Sequence, residues 1–190
     1  MWLDRVKKAS GQDLEINWRN FSLEQVNSKE SPDWKVWEQP DEHQARALLA
    51  SMAAEAARRQ GKDAFDKFHL ALLIARHGSK ERIPLNEEDA LAKIAEEADL
   101  DVSQFREDLK DRELLQIVAR DHTEAVEQHG VFGTPTFILE DGSSVYLKTF
   151  IPPEEDSVEF FEHFVGLMSG RSYVGEVKRP QPPWPKGAAT

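Results

Sequence analysis

The 190-residue chain contains no cysteine, which excludes disulfides, thiolate metal ligands and a thiol nucleophile among its own residues. It also lacks any apolar run near the ~20 residues that a membrane-spanning helix needs, so no membrane insertion is expected. Basic residues are the minority charge: 24 Lys and Arg stand against 35 Asp and Glu, a net charge of -11. They are scattered rather than gathered into a stripe, and the excess negative charge repels phosphate backbones, so no nucleic-acid partner is expected. No Gly-x-Ser-x-Gly elbow supports a serine nucleophile, since Ser10, Ser79 and Ser169 fall in expected helix-ending turns, and no glycine loop suits a phosphate.

Six histidines are present, His43, His69, His77, His122, His129 and His163. None shows a metal-ligand spacing, and no metal site is expected. His129 closes a helix, where its charge offsets the dipole. The carboxylate clusters Glu87-Glu88-Asp89, Glu96-Glu97 and Glu154-Glu155-Asp156 fall at helix starts or on solvent faces, where acidic residues are favourable without any acid–base chemistry.

The length suits one compact body or one domain carrying a helical insertion. Charged residues occupy the start, Met1 to Lys8, where a secretory signal keeps its apolar stretch, so a cytoplasmic chain is expected.

Trp2 to Ala9 reads as the last turns of a helix stopped by Ser10-Gly11. Asp13 to Phe21 alternates Leu14, Ile16 and Trp18 on one face and predicts a strand. Ser22 to Pro40, with Trp34 and Trp37, reads as loop. Ala45, Leu48, Leu49, Met52, Ala53 and Ala56 recur at three- and four-residue spacing and predict a helix from about Asp41 to Gln60. A second helix is expected from Lys62 to His77, with Gly78 as its cap and Phe65, Phe68, Leu72 and Leu73 inward. A third runs from an Asn86 cap through Ala98. Asp101 with Gln104 forms a capping box for a short helix to Lys110. Asp111 caps a long one that ends at His129-Gly130. The period then changes: Thr136 to Leu139 and Val145 to Phe150, joined through Asp141-Gly142, predict a hairpin. A last helix spans Glu154 to Met168, and a Pro-rich tail from Lys178 is expected to be extended.

This order of strand, helical stretch, Gly-x-Pro, hairpin and helix resembles a DsbA-type thioredoxin-fold oxidoreductase. The words that carry the resemblance are Val131-Phe132-Gly133-Thr134-Pro135-Thr136-Phe137, similar to that family's cis-proline loop, and Trp18-Arg19-Asn20-Phe21-Ser22-Leu23, similar to its second strand and exit. Phe68 to His77 and His122 to Gln128 add to it. The likeness covers Trp2 to Gly166 and extends to FrnE-like proteins, 2-hydroxychromene-2-carboxylate isomerases, kappa-class glutathione transferases and mycothiol-dependent nitroreductases.

The resemblance implies an α/β thioredoxin-like fold with a large helical insertion and with the family's first strand missing. The implied division is a discontinuous thioredoxin-like domain, 1–39 with 116–170, an inserted helical domain, 40–115, and the tail, 171–190. It also implies a cis peptide before Pro135 and a substrate site lined by Gly133, Thr134 and Pro135, with Phe21 and Phe132 as walls. The family's Cys-x-x-Cys, or a serine equivalent, opens a helix that Trp2 here already occupies, so a start set too late or a truncated reading frame is expected. No catalytic residue is assigned.

Three functions follow from the likeness: an oxidoreductase homologue incomplete for want of cysteine, a non-catalytic module binding a peptide or partner strand at open sheet edges, and a thiol-cofactor-dependent isomerase or transferase relative. No cofactor is expected in this chain, while full-length relatives use a low-molecular-weight thiol such as glutathione or mycothiol. The partners implied are a disulfide or peptide substrate, or a partner strand, and open edges are compatible with a homo-oligomer.

Overall fold

The computed structural model describes residues 1–11, 14–40, 43, 45, 47–78 and 82–177. The Pro-rich tail from Lys178, Asp13, Asp41 and Ser79 lie outside the described residues. The chain divides into two compact units, 1–17 with 134–190, and 18–133.

The larger unit, 18–133, is helical. After a one-turn helix α2, Leu23–Val26, the Val36–Glu38 3-10 turn buries Val36 and Trp37. Helices α3, Leu48–Arg59, and α4, Lys62–Leu73, follow. α4 continues into a π-helical turn, Ile74–Gly78, the stretch where an ordinary helix and a glycine cap are expected from the sequence. Then come α5, Glu88–Glu97, α6, Val102–Leu109, and α7, Glu113–His129.

The core of this unit is built on α3, which packs against α4, α6 and α7. Ala53, Ala56 and Ala57 are fully buried. Such small side chains let three neighbours approach one helix, and Phe68 and Phe105, ring centroids 5.3 Å apart, fill the space left beside them. Trp37, Val36, Ala45 and Leu115 form a second apolar cluster.

Several local expectations are corrected here. α3 begins at Leu48. Glu87, not Asn86, is the N-cap of α5, with no side-chain bond. The Asp101 carboxylate does accept from Gln104 N, at 2.9 Å, but the reciprocal bond of the box is replaced: Asp101 N donates to Gln60 Oε1. Asp111 accepts from Glu113 N at 2.9 Å, and the helix starts beyond Arg112.

The smaller unit holds α1, Trp2–Ser10, strands β1, Thr136–Ile138, and β2, Ser144–Tyr146, and α8, Ser157–Met168. The strands pair antiparallel with Phe137 opposite Val145. β2 stops at Tyr146 rather than Phe150, and α8 starts at Ser157 rather than Glu154. Its core centres on Trp2, Val6, Val145 and Phe164. The Trp2 ring lies 4.8 Å from that of Phe160, and its Nε1–H donates to the Ser157 carbonyl at 2.9 Å.

The strand expected from Asp13 to Phe21 does not form; its described part is irregular. The alternating residues serve different cores: Leu14 packs in the Trp2 cluster and Trp18 on the α3 cluster. Its backbone is met by side chains instead of a neighbouring strand. Arg58 Nη2 donates to the Trp18 carbonyl, Asn20 N to Asp121 Oδ2, and Ser22 N to His122 Nδ1. These bonds also explain why the compact units differ from the family-derived division: residues 18–39 and 116–133 pack with the helices of 40–115.

Candidate functional site

In the smaller unit, the Thr134–Pro135 peptide bond is cis. Thr134 and Pro135 are exposed and lead directly into β1. Leu147 N donates to the Pro135 carbonyl at 3.2 Å and Leu139 N to the Ser143 carbonyl at 2.9 Å. Those bonds fix the register, so Phe137 faces Val145 as the bonded pair while the backbone of Ile138 points away from β2. Among the described residues the sheet has two strands, and β1 has a strand on one side alone.

The hairpin turn is tied down by Asp141. Its carboxylate accepts from Ser143 N at 2.9 Å, from Ser169 Oγ at 3.0 Å and from Gly170 N. The Ser143 bonds, then the Gly170 amide and the Ser169 hydroxyl, hold its carboxyl down to about 2.

In the larger unit, α7 ends at Gly130, whose φ of 62° suits glycine, and Val131 N returns to the Ala125 carbonyl at 3.0 Å. This cap delivers Phe132, 67% exposed, and Gly133. Phe21 stacks at a tilt on His122, centroids 4.7 Å apart. Thus four of the five residues expected at the site, Phe132 to Pro135, are consecutive, and Phe21 belongs to the α7 surroundings.

Around Asn20 lies a polar cluster that no sequence motif announces. Glu55 and Asp121 are each 5% exposed. The Asn20 amide donates to Glu55 Oε1 at 2.9 Å and to Asp121 Oδ2 at 3.1 Å. Arg58 Nε meets Glu55 Oε2 at 3.0 Å and Arg19 meets Asp121 Oδ1 at 2.9 Å. Two buried carboxylates are thereby fully partnered, and the cluster positions residues 18–22 rather than presenting a free acid. Among the described residues no group of three or more His, Asp or Glu side chains is placed to hold a metal ion. No helix there is long and apolar enough to cross a membrane.

The family model for the DSBA-like thioredoxin domain matches residues 2–166. The chain belongs to that family. Comparison with curated proteins gave no match. The DSBA-like domain is of thiol-disulfide oxidoreductase type, whereas this chain has no cysteine. Family chemistry turns on a thiolate, and no side chain of this DSBA-like chain supplies one.

Proposed function

We propose that this chain is a non-redox binding member of the DSBA-like family, which seats an extended peptide against the Thr134–Pro135 loop and the outer edge of β1. The absence of cysteine carries the reading, because it removes disulfide exchange and leaves the binding part of the fold. In support, the Ile138 backbone points away from β2, the geometry by which a peptide adds a strand to a sheet. Thr134 and Pro135, both exposed, flank the incoming strand where the chain enters β1. The reading places the chain in the cytoplasm, a compartment where disulfides are rare.

A second reading rests on the family match over 2–166: an oxidoreductase homologue whose thiol comes from outside this sequence, as a protein residue or as glutathione or mycothiol, the latter including an isomerase or transferase relative.

The 190-residue chain is assayed for dithiol-dependent reduction of insulin disulfides, alone and with glutathione, and its β1 amides are followed by NMR while an unstructured peptide library is added. No turnover, together with saturable shifts along the β1 amides that Ile138→Pro abolishes at the neighbouring Phe137 and Leu139 amides, is the expected result. Turnover by the chain alone overturns the proposal, and turnover with glutathione alone selects the second reading. Absence of any β1 shift also overturns the binding role.

A further inference from the structure

A cleft of about 300 Å3 opens in the larger unit between α2, the Val36–Glu38 turn and α7, lined by Gln25, Val26, Lys35, Trp37, His122, Thr123, Val126 and Glu127. That volume sits at the small end of ligand sites and suits a fragment-sized molecule. Its walls are fixed by local bonds. Gln25 closes the loop after α2 on itself: its amide nitrogen donates to the Trp34 carbonyl at 2.9 Å and its oxygen accepts from Val36 N at 2.8 Å. Trp37 is 8% exposed and lies 5.3 Å from the His122 ring.

His122 is the decisive group. It is 5% exposed, and its Nδ1 accepts from Ser22 N at 3.1 Å. An acceptor at Nδ1 places the proton of the neutral ring on Nε2, at the opposite edge. Burial, and then the Lys35 charge, push the ring's pKa down, so that neutral form is the one present at pH 7. Among the described residues nothing accepts the Nε2 proton, and no sealed side-chain nitrogen or oxygen lacks a partner. The Nε2 edge is therefore not sealed, and His122 is one of the residues that line the cleft.

The lining pairs this donor with the Lys35 ammonium, one of whose protons goes to the Pro32 carbonyl at 3.3 Å, and with the Thr123 hydroxyl. Val26, Val126 and Trp37 supply apolar surface. Glu127 opposes any second negative charge on a ligand. We infer that this cleft binds a small monocarboxylate with a branched apolar body, its carboxylate on His122 Nε2–H and Lys35 and its body on Val26, Val126 and Trp37. Polyphosphates and dicarboxylates are disfavoured by Glu127. The lining draws only on residues 25–127, so the test is separate from that of the β1 edge.

The probe is 4-methylpentanoate, titrated into the full chain at pH 7 with the histidine rings followed by NMR. The expected result is a saturable shift of the His122 ring signals that 4-methylpentanamide produces with roughly tenfold lower affinity, the loss of one charge-assisted hydrogen bond. Lys35→Gln weakens binding by about the same factor, and Thr123→Trp, at an exposed position that lines the cleft, abolishes it while circular dichroism stays unchanged. Equal binding of acid and amide, binding that survives Thr123→Trp, or no shift at His122 at millimolar probe would each overturn the assignment.

Discussion

Asn20 grips one oxygen of Asp121 twice, through its backbone N–H at 3.0 Å and its side-chain amide at 3.1 Å. The same amide reaches Glu55 on α3, so one neutral side chain joins the irregular segment 18–22 to two helices. A carboxylate pair held this way needs a donor between its members, since each acid has left water and cannot keep its charge without partners.

Asn20→Ala is accordingly expected to destabilise the chain by about 2 kcal/mol, the cost of leaving buried acceptors short of a donor. Asn20→Asp, which sets a third carboxylate against the first two, is expected to cost more. Urea midpoints at unchanged slope measure both. A midpoint for Asn20→Ala equal to that of the parent would show that water replaces the amide freely.

His69 sets a pH dependence. Its ring stacks on Phe65 at 5.3 Å and meets Trp18 edge-on at 4.5 Å. Burial, with the nearby Arg58 charge, lowers its pKa to about 4. Because the folded value lies below the ordinary value near 6.5, the unfolded chain takes the proton first as pH falls. Stability is full above about pH 6.5, is lost progressively down to about pH 4, and changes no further from this group below that. The total is roughly 3 kcal/mol. His77 and His122 are lowered in the same direction, so His69→Phe is expected to flatten the acid limb of a denaturation series without abolishing it. An unchanged limb in that variant would remove His69 from the account.

Trp2 anchors the smaller unit by ring and by hydrogen bond. Trp2→Phe keeps most of the contact with Phe160 and Phe164 and loses the bond to the Ser157 carbonyl, for an expected cost of about 1–2 kcal/mol. Trp2→Ala opens a cavity and is expected to cost about 4 kcal/mol. Denaturation followed at 222 nm orders the two, and equal midpoints would contradict the packing described.

The helices were legible where composition and period agree. The alanine stripe of α3, the Asp101 cap of α6 and the His129-Gly130 end of α7 all follow from local rules. The hairpin was legible from Asp141-Gly142, though not the reach of Asp141 to Ser169 and Gly170, which depends on where α8 ends. Leu14 to Phe21 misleads because alternation records burial on two sides, and here Leu14 and Trp18 are buried in different clusters without any strand between them. The cleft on α7 left no trace in spacing. Its residues come from a loop and a helix about a hundred positions apart, and the one hint, a histidine in midhelix, reads equally well as ordinary surface until Ser22 N is found on its Nδ1.

The closure of residues 25–36 by a single Gln25 amide has a further meaning. A side chain that donates to Trp34 and accepts from Val36 imitates a strand's backbone, and it does so with no ionisable atom. These two bonds are thus indifferent to acidity, while the charges displayed beside them, Lys35 and Glu127, respond to salt. Ionic strength should tune what this surface attracts without altering the shape that receives it.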